Sequence, residues 1–85
     1  MTAKRSVRVR LDYPLNRVAE PVVYHLVTEF RLVPNIRRAQ IDSRVGGWIA
    51  LELDGTAEDL EAAMNYLRDL GITVTPIDET EDWNV

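Results

Sequence analysis

A double glycine near the middle of the chain constrains the fold more than any other feature. Gly46-Gly47 joins two segments that both read as extended, Asn35 to Asp42 and Trp48 to Leu53. Two such segments across a glycine turn make a β-hairpin. Pro34 stops any helix that precedes the hairpin and pushes Val33 into extended geometry. Asp54-Gly55 turns the chain on its far side. The flanking sequence must therefore pack around a central pair of strands.

The two flanks mirror each other. On the N-terminal side Val7, Val9, Leu11 and Tyr13 alternate with Arg8, Arg10 and Asp12, the period-two pattern of a half-buried strand. Pro14 and Asn16 end it. Pro21 suits the first turn of a helix, where its missing N–H costs nothing. Val22, Val23, Leu26, Val27 and Phe30 then recur at three- and four-residue steps and form one apolar stripe. Its valines are poor helix formers, so burial rather than propensity must hold this helix. On the C-terminal side Thr56 can cap a helix whose acidic first turn, Glu58, Asp59 and Glu61, suits the positive end of the dipole. Leu60, Ala63, Met64, Leu67 and Leu70 are its stripe, and Gly71 fits the residue just past its end. Ile72 and Val74 alternate with Thr73 and Thr75 in a last strand, which Pro76 confines to a sheet edge.

The order is βαββαβ. Right-handed crossovers put both helices on one face of a four-stranded antiparallel sheet, an α+β, ferredoxin-like plait. Its first and third strands are central, and its second and fourth are edges. The expected core is Leu11, Leu26, Phe30, Leu51, Leu53, Leu60 and Leu67. The open face carries Arg8, Arg10, Trp48, Ala50, Glu52, Thr73 and Thr75. In the second strand Ile36 and Ile41 are five residues apart, so a flat strand would turn them to opposite faces. Either a β-bulge intervenes or one isoleucine faces a partner. Residues 6–77 are expected to form one domain, with a flexible N-terminus at 1–5 and a flexible acidic tail at 78–85.

Composition closes off several classes of function. Eighty-five residues allow one domain, and the absence of cysteine rules out a disulfide framework, a thiolate metal site and an iron–sulfur cluster. No apolar run is long enough for a bilayer span, and no apolar stretch follows the basic N-terminus to make a secretory signal, so a cytoplasmic protein is expected. His25 is the single histidine. No nucleophile or carboxylate is flagged beside it, which reads as a helix-surface residue rather than an acid–base catalyst. Walker loops, dinucleotide fingerprints and metal-ligand spacings are lacking, so neither an enzyme nor a cofactor is expected. Trp48 with Arg8 and Arg10 invites comparison with RNA-binding plaits, but the Lys/Arg-Gly-aromatic signature is missing and the chain is acidic overall. Charge is also segregated: residues 1–45 hold nine Lys/Arg and four Asp/Glu, whereas residues 46–85 hold one and ten. Such a chain is dipolar, and its two poles can attract each other or a partner.

A set of short matches in fixed order resembles the NIL domain. They are Glu20-Pro21, Glu29-Phe30, Asn35-Ile36, Ala39-Gln40-Ile41, Gly47 followed by Leu51-Glu52-Leu53 and Gly55, Ala62-Ala63 with Tyr66-Leu67, and Gly71-Ile72 with Val74. They span about residues 6–77 and lie nearest to cyanobacterial members of the family, through Pro34-Asn35-Ile36 and Arg38-Ala39-Gln40. The resemblance implies a ferredoxin-like regulatory domain that dimerises and, on methionine-import ABC ATPases, binds methionine. Here it looks free-standing. The resemblance puts Asn35 in the ligand site, with Ile36 and Arg37 beside it; the unpaired edge of the second strand is the expected interface, at Ile36, Arg38 and Ile41, and the resemblance points the same way because it implies a dimer. Arg37 replaces the apolar third residue of the family's Asn-Ile-Leu triplet. A guanidinium there can pair with a ligand carboxylate or stand as an exposed strand charge. The expected function is binding of a small ligand, methionine or another amino acid, at a homodimer interface. The alternative is a dimerising interaction module for a separately encoded redox or transport partner, with no small ligand. Neither nucleic acid nor membrane insertion is expected.

Overall fold

The structure, a computed structural model, describes residues 4–17, 21–42 and 44–77. Strand β1, Lys4–Tyr13, leads through a short 3-10 turn, Leu15–Arg17, to helix α1, Val22–Thr28. Strands β2, Val33–Asp42, and β3, Gly46–Thr56, form the hairpin. Helix α2, Ala57–Asp69, and strand β4, Thr73–Pro76, complete the chain. Every strand pairing is antiparallel and the order across the sheet is β2-β3-β1-β4, so the expected plait is the observed one. β1 opens at Lys4, inside the segment read from sequence as an N-terminal extension. The expected acidic tail, 78–85, lies outside the described residues.

Register fixes which side chains share a face. Val7, Val9 and Leu11 stand opposite Leu53, Leu51 and Ile49, and these rows meet the helices. Leu11, Leu26, Leu51, Leu53 and Leu67 are fully buried, and Leu60 is buried with them. Phe30 differs from expectation: it is half-buried, its ring 5.0 Å from that of Tyr66 at the margin of the core. Leu32 takes the deeper place, packed over Gly55. It gets there because Arg31 adopts a φ of +57°, which swings the chain out of α1 and lets the Leu32 N–H reach the Leu26 carbonyl.

The two helix ends show how local sequence sets the frame. Thr56 caps α2, its Oγ1 accepting from the Asp59 N–H at 3.0 Å. At the other end Gly71 has φ +83°, its N–H bonds the Arg68 carbonyl, and the Ile72 N–H bonds the Leu67 carbonyl. That is a Schellman closure, with buried Ile72 and Leu67 as its apolar pair. Arg17 then ties the β1–α1 connection to this end by donating from Nε to the Leu70 carbonyl at 3.0 Å.

Candidate functional site: the β2 edge and the hairpin cleft

β2 is an edge strand ten residues long, and its register with β3 slips between Ile36 and Arg38. Arg37 is the extra residue of a β-bulge. The bulge resolves the five-residue spacing of the isoleucines. Ile36 stands opposite Leu51, Ala39 opposite Ile49 and Ile41 opposite Gly47, so all three lie on the helix side. α1 is too short to cover them: Ile36 is 49% exposed and Ile41 48%. Val27 and Tyr24 on α1 and Val45 in the hairpin loop add exposed apolar surface. Asn35 stands opposite Glu52 and Arg38 opposite Ala50, both on the open side.

The residues expected at a ligand site are therefore neighbours in the chain but not on one surface. Asn35 and Ile36 lie on opposite faces of β2, with Arg37 in the bulge between them. A ligand touching all three must straddle the edge. The expected interface residues divide in the same way, Ile36 and Ile41 on one side and Arg38 on the other.

The open face is closed by its own side chains. The Arg10 guanidinium lies 4.7 Å from the centre of the Trp48 ring and pairs with the Asp12 carboxylate at 3.0 Å, leaving Ala50 beneath fully buried. Arg8 pairs with Glu52 at 3.4 Å. These contacts turn the arginine–tryptophan combination into a lid over the sheet, not a stacking platform for bases. A cleft of about 350 Å³ remains at the hairpin end, lined by Asp12, Tyr13, Gln40, Asp42, Val45 and Trp48. Sequence reading did not assemble it, because its walls come from three strands and a loop. Its acids are engaged. Asp42 accepts from the Arg44 backbone N–H at 2.7 Å and from its side chain, which holds the carboxyl below the usual range. Burial, with Tyr66 adding to it, pushes the Tyr13 phenol up to about 12, so it stays protonated at any physiological pH.

His25 is half-buried on α1, not on its open surface. Nδ1 sits 2.5 Å from a Glu29 carboxylate oxygen, in a close contact not aligned as a hydrogen bond, and the ring meets Tyr24 and Tyr66 edge-on. Among the described residues no cluster of His, Cys, Asp or Glu could hold a metal ion, and no helix is long and apolar enough to cross a membrane.

The four-stranded antiparallel sheet with two helices on one face, its open face roofed over and β2 a long edge with exposed apolar residues, defines a class: a small α+β, ferredoxin-like domain. The chain belongs to the NIL domain family, whose model matches residues 7–76. It is similar to an uncharacterised protein of Synechocystis, 32% identical over 79 residues that cover 92% of this chain and 81% of the relative. An uncharacterised protein of Synechococcus elongatus is likewise 32% identical, covering 91% of this chain and 95% of its own. The fold is shared with the C-terminal domain of an ABC transporter ATP-binding protein from Enterococcus faecalis, with a TM-score of 0.74, 24% identity and coverage of 86% and 84% of the two chains.

Proposed function

We propose that this domain is a cytoplasmic regulatory module that pairs with a second copy through β2 and binds a small amino-acid ligand at the resulting two-fold interface. One observation carries the reading: a ten-residue free edge whose Ile36, Ala39 and Ile41 share one face and are exposed together. Native sheets blunt free edges with charge or bulges, and Arg37, Arg38 and the bulge do so at the middle of β2. The stretches on either side, Val33 to Ile36 and Arg38 to Asp42, keep regular geometry for a partner strand. An isologous contact there brings two copies of the Asn35 amide toward the axis. That amide can accept from a ligand ammonium and donate to its carboxylate. Methionine is the first ligand to test, because the family resemblance implies it.

Sedimentation velocity from micromolar to hundreds of micromolar tests the pairing. The expected result is a dimer that Ile36→Lys and Ile41→Lys dissociate. A single monomeric species throughout refutes it. Calorimetry with methionine tests the ligand, with loss of affinity expected in Asn35→Ala. A second reading has its own support in the separation of Asn35 and Ile36 onto opposite faces of β2. In that reading the domain pairs, or meets a separately encoded transport or redox protein, without a small ligand. A dimer that gives no heat with any of the twenty amino acids decides for it.

A further inference from the structure

A second depression lies at the other margin of the sheet, away from β2. α2 seats Leu60, Ala63 and Leu67 on the strands, and all three are buried. Its neighbouring residues Glu61, Met64 and Arg68 recur at steps of three and four and so stand along one flank of the helix. That flank overlooks the helix side of β1 and β4, where Val9 faces Pro76 and Leu11 faces Val74. Between helix flank and strands lies a groove of about 240 Å³. Val7, Val9, Leu60, Met64, Val74 and Pro76 make its walls apolar, and Glu61 and Arg68 border it.

The two charges give the groove a direction. Glu61 and Arg68 are seven residues apart, about two turns or 10.5 Å along the helix axis. Neither has an opposite charge three or four places away on α2, since Glu58, Met64, Asn65 and Gly71 occupy the nearest such positions. Among the described residues neither side chain joins an ion pair. A ligand that fills this groove is therefore apolar in its body, with a cation toward Glu61 and an anion toward Arg68. A single free amino acid carries its ammonium and carboxylate on one carbon and cannot divide them between the two ends. An extended chain spans about 3.3–3.6 Å per residue, so two or three residues set charged ends about 7–10 Å apart. We propose that the groove binds short free peptides of two or three residues with apolar side chains, amino end at Glu61 and carboxyl end at Arg68. Burial of an apolar side chain against Val7, Met64 and Val74 drives the binding, and the arginine fork suits a terminal carboxylate. The charges fix the orientation.

Titration of leucyl-leucine into the isotopically labelled full chain, followed through backbone amide shifts, tests the site. Saturable shifts are expected at Val7, Met64 and Val74, while Ile36 and Ile41, across the sheet on β2, stay unmoved. Acetylating the peptide's amino group should weaken binding about threefold to fivefold on the natural chain and hardly at all on Glu61→Gln. Amidating its carboxyl group should show the same relation to Arg68→Gln. Both residues are exposed, so neither variant threatens the fold. The absence of any saturable shift up to about 10 mM peptide overturns the proposal. So does equal affinity for the free, acetylated and amidated peptides, because the charges then play no part. Shifts centred on Ile36 and Ile41 overturn it too, by placing the peptide on β2. Groove amides that move with protein concentration alone do the same, since a second copy then fills the groove. Pairing through β2 is read separately by sedimentation, so either result can fail without the other.

Discussion

Truncating Leu51 and Ile36 to alanine, one at a time, gives the sharpest test of how the hairpin is built. The two residues face each other across β2 and β3 on the helix side of the sheet, yet Leu51 is fully buried and Ile36 is 49% exposed. Leu51→Ala removes three carbons from a site with no route to solvent, about 2.4 kcal/mol of transfer free energy at ~0.8 kcal/mol each. The cavity left between Val9, Ile36 and the helices adds to this and brings the expected loss to about 3–5 kcal/mol. A domain of this length has only about 4–13 kcal/mol in all, so the variant should melt at least about 10 °C lower and sit close to unfolding. Ile36→Ala deletes the same number of carbons from a half-exposed site with no closed cavity, and about 1 kcal/mol is expected. Urea denaturation followed by Trp48 and Trp83 fluorescence reads both. The reasoning fails if Leu51→Ala costs under 1 kcal/mol, or if Ile36→Ala costs as much as Leu51→Ala at low protein concentration. If pairing through β2 occurs, the Ile36→Ala deficit should grow with protein concentration while that of Leu51→Ala keeps its large concentration-independent part.

Two further outcomes follow from close approach and from burial. A Cβ on Gly47 would lie 2.6 Å from the Gln40 carbonyl oxygen and 2.8 Å from the Ile41 Cα, both backbone atoms, so Gly47→Ala should prise β2 from β3 and cost about 1–3 kcal/mol in urea denaturation; wild-type stability would show that the strands can yield. The Tyr13 phenol, raised to about 12 in the fold, ionises first in the unfolded chain, so native protein holds more protons between about pH 10 and 12. Its contribution to stability is complete below pH 10 and should fall by roughly 2 kcal/mol as pH rises through that window. Tyr13→Phe should remove this part of the alkaline slope, and an unchanged slope assigns it to other groups.

The architecture was legible in the sequence because each element carries its own period and its own stop signals. Alternation in β1, the α2 stripe, Thr56, Gly71 and Pro76 are all local, and each constrains backbone geometry without help from distant residues. The family was legible for a related reason: its matches, inside strands and α2 as well as at turns, keep a fixed order and spacing along the chain that the fold retains. The site was not legible in the same way. Two isoleucines five residues apart leave the bulge undecided, because the bulge depends on how β2 aligns with β3 and not on β2 alone. The register put Arg37 in the bulge and turned Asn35 and Ile36 to opposite faces, a separation hidden by their adjacency in sequence. Phe30 and Leu32 exchanged depth for a similar reason. The apolar stripe identifies the helix face, but the turn at Arg31 decides which side chain reaches the space over Gly55. The hairpin cleft likewise needed β1, β2 and β3 side by side before Asp12, Gln40 and Trp48 could share a wall. The sequence by itself determined elements, order and kinship, since these rest on local stereochemistry. Only the tertiary structure decided faces, depth and the apolar surface left exposed, since those are set by contacts between segments far apart in the chain.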